Sequence, residues 1–120
     1  MKTLFLTIVF AVLSFISASA QKIDLEKVIL DKENCVIVRK SDGKKFNLSG
    51  RVKVVESFED FRVKIVDSSE DIRIRLRDAD FGNCCEFVKS DSFYEIRVKI
   101  VDSFEDVRVK IDDSFPGISH

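Results

Sequence analysis

Apolar and cationic side chains alternate one for one in short runs along the second half of the chain. Phe61–Ile65 reads Phe-Arg-Val-Lys-Ile and Ile72–Leu76 reads Ile-Arg-Ile-Arg-Leu. Ile96–Ile100 reads Ile-Arg-Val-Lys-Ile and Val107–Ile111 reads Val-Arg-Val-Lys-Ile. Side chains at i, i+2 and i+4 line one face of an extended chain, and the apolar set is dominated by β-branched residues. Each run therefore predicts a half-buried β-strand with its cations on the face opposite the core. After each strand comes Asp-Ser-Phe-Glu-Asp or a close variant. Asp and Ser bond to nearby backbone and favour turns. Phe58, Phe93, Phe104 and Phe115 recur in those turns, with Ser69 in the equivalent place, and the rings are expected to plug the layer beneath.

Aligned by eleven, the units read RVKVVESFEDF from Arg51, RVKIVDSSEDI from Arg62, RIRLRDADFGNCC from Arg73, EFVKSDSFYEI from Glu86, RVKIVDSFEDV from Arg97 and RVKIDDSFPGI from Arg108. Only the third breaks the length, by two residues, so 78–85 is the strongest interruption. An eleven-residue period also suits a right-handed helical coil, but the strict alternation and the Val/Ile content reject it. One unit is too small to bury its own apolar face, so stability must come from neighbouring units. Upstream, 21–34 is a mixed lead-in, readable as a short helix or an arm. Residues 35–38 then form a strand, 41–43 (Ser-Asp-Gly) a tight turn and 45–48 a return strand. No linker separates this hairpin from the units that follow. The reading is all-β: one compact domain of short repeated strands over 35–118, with a β-meander or a small solenoid as the arrangement that periodicity alone suggests.

The first twenty residues change the picture of destination. One cation, Lys2, precedes an unbroken apolar run that ends Ala18-Ser19-Ala20. This is the pattern of a cleaved secretory signal over 1–20, with periplasmic or extracellular delivery and no stable membrane span after cleavage. No cysteine sits at the cleavage point to take a lipid anchor. Loss of Lys2 leaves 19 basic residues against 21 acidic ones, a net charge of −2. That balance argues against nucleic acid as a partner. In an oxidising compartment, Cys35 is a candidate to pair with Cys84 or Cys85, and an odd count leaves one thiol over.

Candidate chemistry is thin. The four glycines, Gly43, Gly50, Gly82 and Gly117, are scattered singly, so no phosphate-cradling loop exists and no cofactor is expected. The single histidine, His120, is the last residue, where chain ends fray, so a Cys–His or Ser–His pair built on it is not expected. Carboxylates occur in every turn, so a carboxylate-based hydrolase is a weaker alternative, but identical turns point to structure while an active site breaks symmetry. The acidic turns lack the spacing of a calcium loop, and Cys84-Cys85 lacks a second ligand pair for zinc, so no metal site is assigned. What remains is the outward face. Arg51, Lys53, Arg62, Lys64, Arg73, Arg75, Arg97 and Lys99 share the phase opposite the core. They form a candidate ladder for an anionic envelope polysaccharide, set against the simpler reading of a solvated face offset by the acidic turns. An envelope protein is the other candidate partner.

The run RVKVVESFEDFRVKIVDSSEDIRIRL, a Gly/Cys interruption, then EFVKSDSFYEIRVKIVDSFEDVRVKIDDSFPG resembles the septoil-knot domain family of small bacterial proteins. The resemblance covers nearly all of 48–117, and its most specific piece is the closing DSFPG. The family often writes Ser-Phe-Pro-Asp in its turns, where this chain has Glu59, Glu70 and Glu105 and keeps proline only at Pro116. The resemblance implies strands wound around each other into a deep torus knot, which sequence physics would discount by default. It implies no activity. Some members carry the name of a 6-phosphogluconate dehydrogenase, which this chain's missing glycine loop and βαβ pattern do not support. The function expected is that of an exported, non-catalytic structural or binding domain, with the polyanion binder as the alternative.

Overall fold

The computed structural model describes residues 22–119; the proposed signal segment 1–20, Gln21 and His120 lie outside the described residues. Every regular element in this span is a strand. β1 (Lys22–Asp24), β2 (Val28–Asp31), β3 (Val36–Arg39) and β4 (Lys45–Asn47) form an antiparallel meander in chain order. Neither alternative for 21–34 holds, because the lead-in supplies two paired strands, with Ile23 opposite Leu30. The Asp-Gly turn forms as expected. Gly43 takes φ +74°, a left-handed value that favours glycine, and Asp42 accepts the Lys44 amide at 3.1 Å.

The alternating runs become β5 (Gly50–Val54), β6 (Phe61–Ile65), β7 (Ile72–Leu76), β8 (Glu86–Lys89), β9 (Ile96–Ile100) and β10 (Val107–Ile111), followed by the short β11 (Gly117–Ile118). Six of them close a parallel barrel in the order β5-β9-β6-β10-β7-β8, with β8 returning to β5. The chain therefore laps the barrel twice. β5, β6 and β7 make the first lap, and β9 and β10 insert between them on the second. β11 pairs antiparallel with the first half of β7, while β8 takes the second half. This is the winding of a torus knot. The meander and solenoid readings of the repeats both fail, because, β7 and β8 apart, chain neighbours among the barrel strands are not sheet neighbours.

Parallel strands ordinarily need a crossover of a dozen or more residues; here residues 55–60 suffice. Val54 at the end of β5 and Phe61 at the start of β6 both lie opposite Val98 of β9, one on each side. Ile65 and Ile72 flank Val109 in the same way. A two-residue stagger at each interface tilts the strands until the end of one stands level with the start of the next but one. The connection has only to step across the outside of a single strand.

Inside the barrel, equivalent positions stack in three tiers. The lowest holds Phe61, Ile72, Cys85, Ile96 and Val107, all buried. The meander closes this end, with the Phe46 ring edge-on to Phe61 at 4.9 Å and Leu48 and Ile37 beside it. One continuous core thus joins the two sheets. The middle tier is Val52, Val63, Ile74, Phe87, Val98 and Val109. The turn phenylalanines overturn expectation. Phe58, Phe93, Phe104 and Phe115 are 84%, 70%, 86% and 73% exposed. Each crossing lies flat over the outer, cationic face of a strand, so there is no apolar layer beneath it. At the crests Phe58 and Phe104 take φ +61° and +59°, and their rings stay in solvent.

Candidate functional site

Four of the turns end in an acidic residue that brackets the strand it has crossed. The Asp60 amide donates to the Arg97 carbonyl at 2.8 Å, and the Asp60 carboxylate accepts the Arg97 amide at 2.8 Å. Asp71 does the same with Arg108 (2.9 and 2.9 Å), and Asp106 with Arg62 (2.9 and 2.8 Å). Glu95 repeats it on Arg51, at 3.0 and 2.6 Å. Each bracket satisfies a strand amide that lies beyond the reach of the parallel ladder, with a charged acceptor. Gly50 shows how tight the fit is. Its φ is +100°, and a Cβ there would stand 2.8 Å from the Glu95 carboxylate.

The second acid of the turns pairs with the cations. Glu59, Glu70 and Glu105 lie 3.4, 4.0 and 3.2 Å from Arg62, Arg73 and Arg108. Glu59 and Glu105 are held below the usual carboxylate range, first by a backbone hydrogen bond and then by burial-opposed arginine contacts. Of the candidate ladder, Arg62, Arg73 and Arg97 each have a carboxylate within 4.0 Å, and Lys53 sits over the Tyr94 ring at 5.2 Å. Arg51, Lys64, Arg75 and Lys99 occupy the same outer belt. Because one lap interleaves the other, the cations of consecutive strands are separated by a strand of the other lap. The belt mixes charges of both signs.

The three cysteines converge where the meander meets the interruption at 78–85. Cys35 and Cys84 form a disulfide with Cα atoms 5.9 Å apart, and Cys85 remains free and fully buried. Their sulfurs lie within 4.8 Å of one another. Two of them are tied to each other, and burial pushes the Cys85 thiol up to about 11, so the group has neither the open thiolates of a metal site nor a reactive nucleophile. The bridge staples β3 to the barrel, beside a Cys85 amide that donates to the Leu48 carbonyl at 2.6 Å.

The apolar concavity is the barrel interior itself. A cavity of about 250 Å³ runs from Ile37 and Leu48 at the closed end to the strand C-termini at the other. Its exposure rises by tier. At the mouth, Val54, Ile65, Leu76, Ile100 and Ile111 are 40–47% exposed. The sixth mouth position is Lys89, where the other units have Val, Ile or Leu. Sequence reasoning missed this residue, although aligning EFVKSDSFYEI with RVKIVDSFEDV sets Lys89 under Ile100. A second, shallow recess between Glu26, Lys27, Glu59, Asp60, Arg62 and the exposed Phe104 is polar and mixes both signs of charge.

The model of the 7(1) septoil knot domain matches residues 51–119. That span starts with β5 and takes in all six barrel strands and β11, leaving the meander outside. No curated protein matches the chain at a significant level.

Proposed function

The chain belongs to the 7(1) septoil knot domain family, and from that premise we propose that it is an exported, non-catalytic domain with a structural or binding role in the cell envelope or outside the cell. The observation that carries this reading is the use made of the turn carboxylates. Asp60, Asp71, Glu95 and Asp106 accept strand amides, and Glu59, Glu70 and Glu105 pair with arginines, so these seven turn carboxylates are occupied in holding the barrel together. Export is supported by the leader pattern of residues 1–20 and by the fit of a Cys35–Cys84 bridge to an oxidising compartment. Brackets, disulfide and interlaced laps together suit a protein that must outlast proteases.

A binding screen of the secreted protein against anionic envelope polymers and neutral glycans, at low and physiological salt, tests the structural reading against the polyanion one. A belt that mixes charges of both signs, with Arg62, Arg73 and Arg97 already paired with carboxylates, predicts no salt-sensitive capture. Salt-sensitive binding that disappears when Arg62, Lys64, Arg73 and Arg75 are replaced by serine would move the function to the cationic belt.

A further inference from the structure

We propose that the barrel is a receptor for a single-chain fatty acid of medium length, with the hydrocarbon inside the barrel and the carboxylate at Lys89. Two independent observations meet at the mouth. The first is the apolar shaft. A barrel closed at one end by Phe46, Leu48 and Ile37 opens at the other through five aliphatic side chains, each nearly half exposed. Leaving such a ring in water is unfavourable, and its cost is recovered when an apolar chain enters. An aliphatic cavity of 150 Å³ holds benzene, so about 250 Å³ corresponds to roughly ten carbon atoms. That is one chain, not the two of a membrane lipid.

The second observation is the break in symmetry. Among the eighteen residues lining the cavity, Lys89 alone is charged. It replaces an aliphatic residue at a mouth position, in register with Val52. The other cations of the barrel strands belong to the outer belt, where Arg62, Arg73, Arg97 and Arg108 pair with carboxylates; Lys89 instead lines the mouth and makes no hydrogen bond or ion pair among the described residues. An unpaired ammonium at the rim of an otherwise apolar shaft selects a ligand with one negative charge at the end of a hydrocarbon tail. A neutral alkane would leave the ammonium without a partner, and an anionic polymer has no tail for the shaft.

The test is calorimetric titration of the secreted protein with hexanoate, octanoate, decanoate and tetradecanoate below their micelle concentrations, with decanol and decyltrimethylammonium as head-group controls. Affinity is expected to rise roughly fourfold per methylene and to level off near ten carbons. Decanoate should bind roughly threefold to fivefold more tightly than decanol, a modest factor because Lys89 is exposed. Lys89→Ile, which installs the residue of the other units, should abolish that preference while decanol binding stays. Lys89→Glu should reverse it toward decyltrimethylammonium. Circular dichroism of both variants checks that they are folded. The proposal is overturned if no chain length binds, if affinity is indifferent to tail length, or if the carboxylate preference survives in Lys89→Ile. It is equally overturned if sedimentation shows a ligand-free dimer that excludes decanoate, since a second copy would then cover the mouth.

Discussion

Asp60 carries more contacts than any other bracketing acid, which makes its removal the sharpest test of how the barrel is held. Its carboxylate accepts the Arg97 amide at 2.8 Å and also lies 3.4 Å from the Arg97 guanidinium and 3.5 Å from that of Arg39. The side chain is 8% exposed. Asp60→Ala loses a charge-assisted hydrogen bond and leaves the Arg97 amide without an acceptor, an effect of about 1.5–3 kcal/mol. The two guanidiniums are 25% and 40% exposed, so each contact adds at most about 0.5 kcal/mol after screening. The expected loss is about 3 kcal/mol, and Asp60→Asn, which keeps an oxygen acceptor, should lose about half of that. Asp106→Ala, where only the exposed Arg62 amide is bracketed, should cost less. The assay is equilibrium urea denaturation followed by circular dichroism with the disulfide intact. It should be approached from both the folded and the unfolded side, because an interlaced chain equilibrates slowly. A loss below about 1 kcal/mol, or one no larger than that of Asp106→Ala, would refute the bracket as a principal tie.

Four further expectations follow from the same structure. Asp42 is drawn down to about 2, chiefly by its hydrogen bond from Arg39. A depressed carboxylate gives stability that is complete above its ordinary value and lost as pH falls, so the urea midpoint should drop between about pH 4 and pH 2. The drop should be smaller in Asp42→Asn; an equal drop would remove the Arg39 pair as its cause. Cys85, buried and held neutral, should resist iodoacetamide at pH 8 and gain a single adduct by mass spectrometry only after denaturation without reductant, whereas an adduct on the folded protein would contradict its placement. Phe104→Ser, at 86% exposure and with Ser69 already standing in the equivalent turn, should shift stability by less than about 0.5 kcal/mol. Phe46→Ala, which removes the ring packed on Phe61, should cost about 3–5 kcal/mol by the same denaturation assay.

Local chemistry made the strands and their faces legible. Alternation at Phe61, Val63 and Ile65 against Arg62 and Lys64 determines which side chains point inward, because side-chain direction in a strand depends only on the parity of the position. The Asp42-Gly43 turn was readable on the same local grounds. Tertiary structure decided the rest. The sequence offered no local reason for β9 to lie between β5 and β6, since strand order depends on which distant edges meet and on the stagger that sets Val54 and Phe61 across from Val98. That order puts the turns on the outside of the barrel, which is why Phe58 and Phe104 face solvent though their composition suggested core. It brings Cys35 beside Cys84, a partner that sequence left open between two residues, and it gathers six strand ends into one ring. Lys89 was visible as a substitution in one unit, but only ring closure turned it into the single charge at the mouth of an apolar shaft.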